Sequence, residues 1–180
     1  MDYNKPTDFY TGVSRVIASN PDVMFVGGAS EPTGLVMQQA RQMGFQGGFI
    51  VMDQAKLDEI AAVTGGLDLL EDSVGVVPLS EYDSEVAKAF VERYKKAHGK
   101  VPGSEAAYNY LAFHALAKAM ELAGSTEPQQ VREKMGEALT AMDPKYNLYS
   151  IEGITDKGGF ITPTTMAVVE DGKIVSKEIE

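Results

Sequence analysis

In a chain without cysteine, chemistry falls to carboxylates, hydroxyls and imidazoles, and here only two histidines are present. His98, in the run KKAHG, stands where a helix is expected to end, and a partly charged imidazole there favours the helix dipole. His114 lies in mid-helix among alanines and aromatics and reads as a packed or surface polar residue. A Ser-His-acid set needs an activated serine held against the imidazole, and neither position offers one. No His or Cys spacing suits a metal ion, and Glu81, Asp83 and Glu85 read as the solvated start of a helix. No catalytic residue, cofactor or metal is therefore expected.

Two places remain. Gly27-Gly28 follows an apolar run, but neither G-x-G-x-x-G nor G-x-x-x-x-G-K-[ST] is present, so a nucleotide site has little support. The pair does let backbone approach a ligand at a strand end, just before a helix start whose N–H groups favour polar or anionic atoms. Asp53 holds the equivalent place after the next apolar run, GFIVM. It reads either as the N-cap of the following helix or as a carboxylate facing a cleft and suited to an ammonium group.

The elements that carry these residues alternate. Phe9, Val13, Val16 and Ile17 recur at helical spacing over 8–19, with Thr7 or Asp8 as N-cap and Asn20-Pro21 as the stop. DVMFVGG (22–28) is short and continuously apolar, the pattern of a strand buried on both faces of a parallel sheet. A helix capped by Ser30 or Glu31 runs to Gly44; a strand at 48–52, a helix at 56–63 and a third strand near 73–79 follow. The order α-β-α-β-α-β predicts a doubly wound α/β sheet. Asp83 or Ser84 caps the next helix, which ends at Gly99. GKVPGS (99–104) is the most linker-like stretch and is expected to carry a domain crossing. Two consecutive helices then break the alternation, the second opening at the capping box Thr126-Glu127-Pro128-Gln129. The end is strand-rich, with Asp171-Gly172 as a hairpin turn.

Length and charge bound the rest. A chain of 180 residues holds one domain or one and a half. Sixteen basic against 26 acidic residues leave a net charge of −10, which repels phosphate backbones and anionic lipid, so a nucleic-acid partner is not expected. No apolar run approaches the roughly 18 residues of a membrane span. The first residues, MDYNKP, have neither the basic nor the apolar region of a secretory signal, so no signal peptide is expected in this chain.

The run DFYTGVSRVIASNPDVMFVGGASEPTGLVMQQARQMGFQGGFIVMD resembles the middle of a type I periplasmic solute-binding protein, of the branched-chain amino-acid (Leu/Ile/Val) class that serves ABC importers. AKAFVERYKKAHGKVPGSEAAYNYLAFHALAKAMELAGSTEPQQVREKM resembles that family's helix, chain crossing and paired helices, and GITDKGGFITPTTMAVVEDGKIV its closing strands. NPD, GG and QAR-x-x-G in this order carry the likeness. It covers nearly the whole chain and corresponds to the later half of such a receptor.

The resemblance implies two α/β lobes that clamp a solute between them. Residues 1–100 would belong to the second lobe, 101–155 to helices and a crossing strand of the first, and 156–180 to a hairpin returning to the second. It assigns the solute's α-ammonium to Asp53 and further ligand contact to Gly27, Gly28, Ala29 and Ser30. Where the family has an aromatic contact, this chain has Ala29 or Ser30, which leaves room for a bulkier or different solute. The implied partners are an amino-acid-like solute and, for the parent protein, an ABC permease; the implied location is periplasmic or extracellular and lipid-anchored. A half-receptor would expose edges and apolar faces, so self-association is expected. A cytosolic or sensory regulator of the same fold is the alternative. An enzyme using Asp53 lacks a visible partner base.

Overall fold

The computed structural model describes residues 8–52 and 55–178. In chain order these form α1 (Tyr10–Ile17), β1 (Val23–Val26), α2 (Ser30–Gln42), β2 (Gly48–Val51), α3 (Leu57–Thr64) and β3 (Val74–Gly75). Then come α4 (Glu85–His98), α5 (Ser104–Ala123), α6 (Pro128–Ala141), β4 (Gly153–Ile154), β5 (Phe160–Ile161), β6 (Thr165–Glu170) and β7 (Lys173–Glu178). No described helix is long and apolar enough to cross a membrane. The chain divides into two compact units, one of Met1–Glu81 with Thr165–Glu180 and one of Tyr82–Thr164.

The first unit is an α/β layer on a five-stranded sheet in the order β1-β2-β3-β6-β7. β1, β2 and β3 run parallel, as the α-β alternation predicts, and the β6–β7 hairpin joins β3 antiparallel. Asp171 and Gly172 both take positive φ, 52° and 68°, the backbone that a two-residue hairpin turn requires. One sheet face is packed: Met24, Val26, Phe49, Val51, Ala167 and Val169 are buried. A Cβ on Gly75 would meet Leu57 of α3 at 3.1 Å, so α3 lies on that face.

Three expectations are corrected. β1 is not buried on both faces, because Val23 and Phe25 alternate with buried Met24 and Val26 and stand exposed. The third strand spans only two residues of the expected seven; Pro78 has no N–H for a ladder, and the chain turns into a 3₁₀ helix at Leu79–Glu81. The helix starts are displaced. α2 has Ala29 at its N-cap and Ser30 as its first residue, and α6 has Glu127 at its N-cap with Pro128 following. At α1 the N-cap is Phe9, while Asp8 Oδ1 accepts from the Tyr10 N–H at 3.1 Å. Thr7 lies outside the described residues.

Arg41, on α2, ties this unit together. Its Nε donates to the carbonyl of Leu69 at 3.0 Å, and its Nη1 donates to those of Phe45 at 2.9 Å and Gly47 at 2.7 Å. Nη2 reaches the carbonyl of Glu71 at 3.3 Å, and the guanidinium lies 4.7 Å from the Phe49 ring centroid. Burial lowers its pKa from the usual arginine value, partly offset by Asp72. Gly47 has to be glycine for space, since a Cβ there would lie 2.0 Å from the Asp22 carbonyl oxygen.

In the second unit α5 packs on α6 through Ala119, Val131 and Ala138. Residues 99–104 join α4 to α5 inside this unit, with Gly99 in the left-handed conformation that ends α4. Ser84 caps α4 by accepting from the Ala87 N–H at 3.4 Å. Tyr149 is buried with Tyr82 edge-on at 5.3 Å and Tyr108 stacked at 4.9 Å, and burial pushes its phenol pKa up.

Candidate functional site

Parallel strands with helices between them leave ligand space beyond their carboxyl ends. β1 and β2 pair in register, Val26 against Val51, and the Met52 N–H donates to the Val26 carbonyl at 3.2 Å. The segments after the two strands therefore leave the sheet side by side. After β1, Gly27 sits against Met52, so that a Cβ there would lie 2.6 Å from the Met52 sulfur. Gly28 has φ 148°, a conformation that side chains disfavour. Ala29 follows, exposed and extended, and opens α2. After β2, the Ala55 N–H donates to the Met52 carbonyl at 2.9 Å. Asp53, the expected ammonium ligand, lies outside the described residues.

Ser30 bridges the two segments. Its buried hydroxyl accepts from the backbone N–H of Lys56 at 3.1 Å and donates to Glu59 Oε2 at 2.5 Å. Four of the five expected contact residues, Gly27 to Ser30, thus form one continuous segment beside the start of α3. Ser30 holds the start of α3 with its side chain. Sequence reading missed Glu59 and Lys56; the only signal was that both stand at the start of the helix after Asp53. Lys56 itself is buried, 3% exposed.

The histidines lie elsewhere, in the second unit. His98 is the last residue of α4, with Tyr94 at 4.4 Å between ring centroids. His114 stacks on Tyr146 at 3.5 Å with an interplanar angle of 4°, and burial, with a contribution from Lys145, lowers its pKa. Both line a groove of about 580 Å³ between α4 and α5, whose other walls include Phe90, Tyr94, Tyr110 and Phe113. No serine or threonine lines that groove. Among the described residues no three His, Cys, Asp or Glu side chains gather to hold a metal ion.

Comparison with known proteins places this arrangement. The family model described as periplasmic binding protein matches residues 2–173. An amino acid binding protein of Pseudomonas aeruginosa is 30% identical over 129 residues, covering 70% of this chain and 33% of the relative. The leucine-, isoleucine-, valine-, threonine-, and alanine-binding protein of the same organism is 27% identical over 151 residues, covering 84% of this chain and 39% of the relative. Among solved structures, the leucine-binding protein LivK of Thermotoga maritima superposes with a TM-score of 0.73 at 25% identity, over 96% of this chain and 48% of that one. The isoleucine complex of LivJ from Streptococcus pneumoniae gives 0.69 at 18% identity, over 97% and 49%, and so shares the fold. The chain thus spans 33–39% of these two curated relatives and about half of the solved structures. With its parallel β1–β3, helix pair and closing antiparallel hairpin, the chain belongs to the periplasmic binding protein family.

Proposed function

We propose that this chain is part of an extracytoplasmic receptor that captures an amino acid, or a similar small polar solute, for an ABC importer. The observation that carries this reading is the in-register pairing of β1 and β2, which sets Gly27–Ser30 beside Met52 and Lys56, the described residues that flank Asp53 in the chain. Relatives named for amino-acid binding support the solute class. Asp53 takes the solute's α-ammonium in a charge-assisted hydrogen bond; Gly27 and Gly28 allow close backbone approach, and Ala29 leaves space for the side chain.

No bond is made or broken in this role. In the parent receptor, the unit of 1–81 with 165–180 belongs to one lobe and the unit of 82–164 to the other, in place of the expected bounds at 100 and 155. Closure buries the solute, and the permease recognises the closed form; the solute shifts the balance only by preferring that form. The location is periplasmic or at the outer surface. The chain by itself associates with further copies.

Native mass spectrometry of the chain with leucine, isoleucine, valine and des-amino analogues tests this. The expected result is a weak one-to-one adduct with the amino acids alone, lost in Asp53→Ala. Equal binding of des-amino analogues, or an adduct indifferent to Asp53→Ala, overturns the ammonium assignment.

A further inference from the structure

In a protein without thiols the thioether is the sulfur left to oxidise, and this chain has nine methionines and no cysteine. Burial separates them. Met24, Met37 and Met142 are buried, and Met43, Met120, Met135 and Met166 are half-buried. Among the described residues Met52 is the one exposed methionine, at 49%. It also stands where a change at its sulfur matters. Met52 directly follows β2, and its N–H donates to the Val26 carbonyl at 3.2 Å, so its backbone leaves the sheet beside Gly27. Its side chain lies over that glycine: a Cβ on Gly27 would meet the Met52 Sδ at 2.6 Å and its Cγ at 3.2 Å. The thioether thus fills the space that the glycine leaves, with a soft, apolar, adaptable group.

We infer that Met52 is a reversible oxidation site that controls the approach of solute to the Gly27–Gly28 backbone. The oxidant is hydrogen peroxide. A sulfur lone pair attacks one peroxide oxygen, and the S–O bond forms as the O–O bond breaks. The departing hydroxide takes the proton of the transferred hydroxyl and leaves as water. Sulfur loses two electrons and the peroxide gains them. The product is a sulfoxide, larger than the thioether and polar, which calls for hydrogen-bond donors or water. The thioether fits over Gly27 only because no Cβ is there, so that side has no slack for a further oxygen. The oxidised side chain therefore turns off Gly27 and into the space before the Gly27–Gly28 segment. Methionine sulfoxide reductases remove the oxygen and restore the thioether, which makes the change a switch.

The effect on solute capture rests on the proposed function. The place of oxidation and the displacement at Gly27 do not, and they are measured separately. Limiting hydrogen peroxide is added to the folded full chain, and peptide mass spectrometry with fragmentation follows the gain of about 16 Da at each methionine. Amide NMR of the same samples follows Gly27 and Gly28. Native mass spectrometry with leucine, before and after peroxide, reads capture, with Met52→Leu as the chain that cannot form a sulfoxide at this position.

Met52 is expected to oxidise first, roughly tenfold faster than the half-buried methionines, with the Gly27 and Gly28 amides shifting in step. Met52→Leu shows no such shift. The leucine adduct of the wild type is expected to weaken roughly tenfold on oxidation, while that of Met52→Leu, whatever its starting strength, does not change with peroxide. Oxidation of Met43, Met120, Met135 or Met166 ahead of Met52 overturns the site. Unmoved Gly27 and Gly28 amides overturn the displacement. An undiminished adduct with Met52 oxidised overturns the control of capture. A chain that holds no leucine even before peroxide overturns the solute reading and this control with it, while the order of oxidation and the Gly27 shift still decide the modification site.

Discussion

The Ser30 hydroxyl donates to Glu59 Oε2 at 2.5 Å while accepting from the Lys56 N–H at 3.1 Å, and so fastens the start of α2 to the start of α3. Both helices follow strands whose carboxyl ends frame the candidate site. Ser30 thus holds the start of α3, which follows Asp53 in the chain.

Ser30→Ala removes the acceptor that Ser30 gives to the buried Lys56 N–H. It should lower stability by about 1–2 kcal/mol in urea unfolding. Glu59→Gln keeps an acceptor for the serine and should cost less. An equal loss in both variants would mean that the serine–carboxylate contact, and not the backbone contact, fixes the start of α3.

Arg41→Lys should be far from conservative. One ammonium cannot serve the four carbonyls of Leu69, Phe45, Gly47 and Glu71 that the guanidinium fork reaches. A loss of about 2–4 kcal/mol is expected from a shifted urea midpoint, because carbonyls are left without a donor.

Gly47→Ala places a methyl 2.0 Å from the Asp22 carbonyl oxygen, where backbone must move. A loss of about 2–3 kcal/mol or failure to fold is expected. Gly44→Ala meets no atom within 4 Å but has φ 89°, so its smaller cost is conformational. Parallel thermal melts rank the two.

His114 gives a pH dependence of known sign. Its folded pKa is lowered by burial and by Lys145, so the unfolded chain binds the proton more readily. The contribution of His114 is present above the unfolded value of about 6.5 and is lost as pH falls through it toward the folded pKa. Urea midpoints measured from neutral pH downward should fall in the wild type and fall less in His114→Phe.

Features governed by neighbours along the chain were legible in the sequence. Asp171-Gly172 forms its turn, Ser84 its cap and Gly99 its helix end because those conformations are set within a few residues. Long-range choices were not. Ser30 looks like an N-cap, yet its hydroxyl partner is 29 residues away on α3. Phe25 looks like a core residue of a buried strand; its exposure depends on what covers the sheet, which no local pattern encodes. In the candidate site, the side-by-side placement of the two strand ends followed from the α-β alternation. The Ser30–Glu59–Lys56 contacts that hold them did not.

The most direct test of the central claim is an amide NMR titration of the chain with leucine. The account predicts shifts concentrated at Gly27, Gly28, Ala29, Ser30, Ala55 and Lys56, abolished by Asp53→Ala. Shifts centred on the α4–α5 groove around Tyr110 and His114, or persisting in Asp53→Ala, would contradict it.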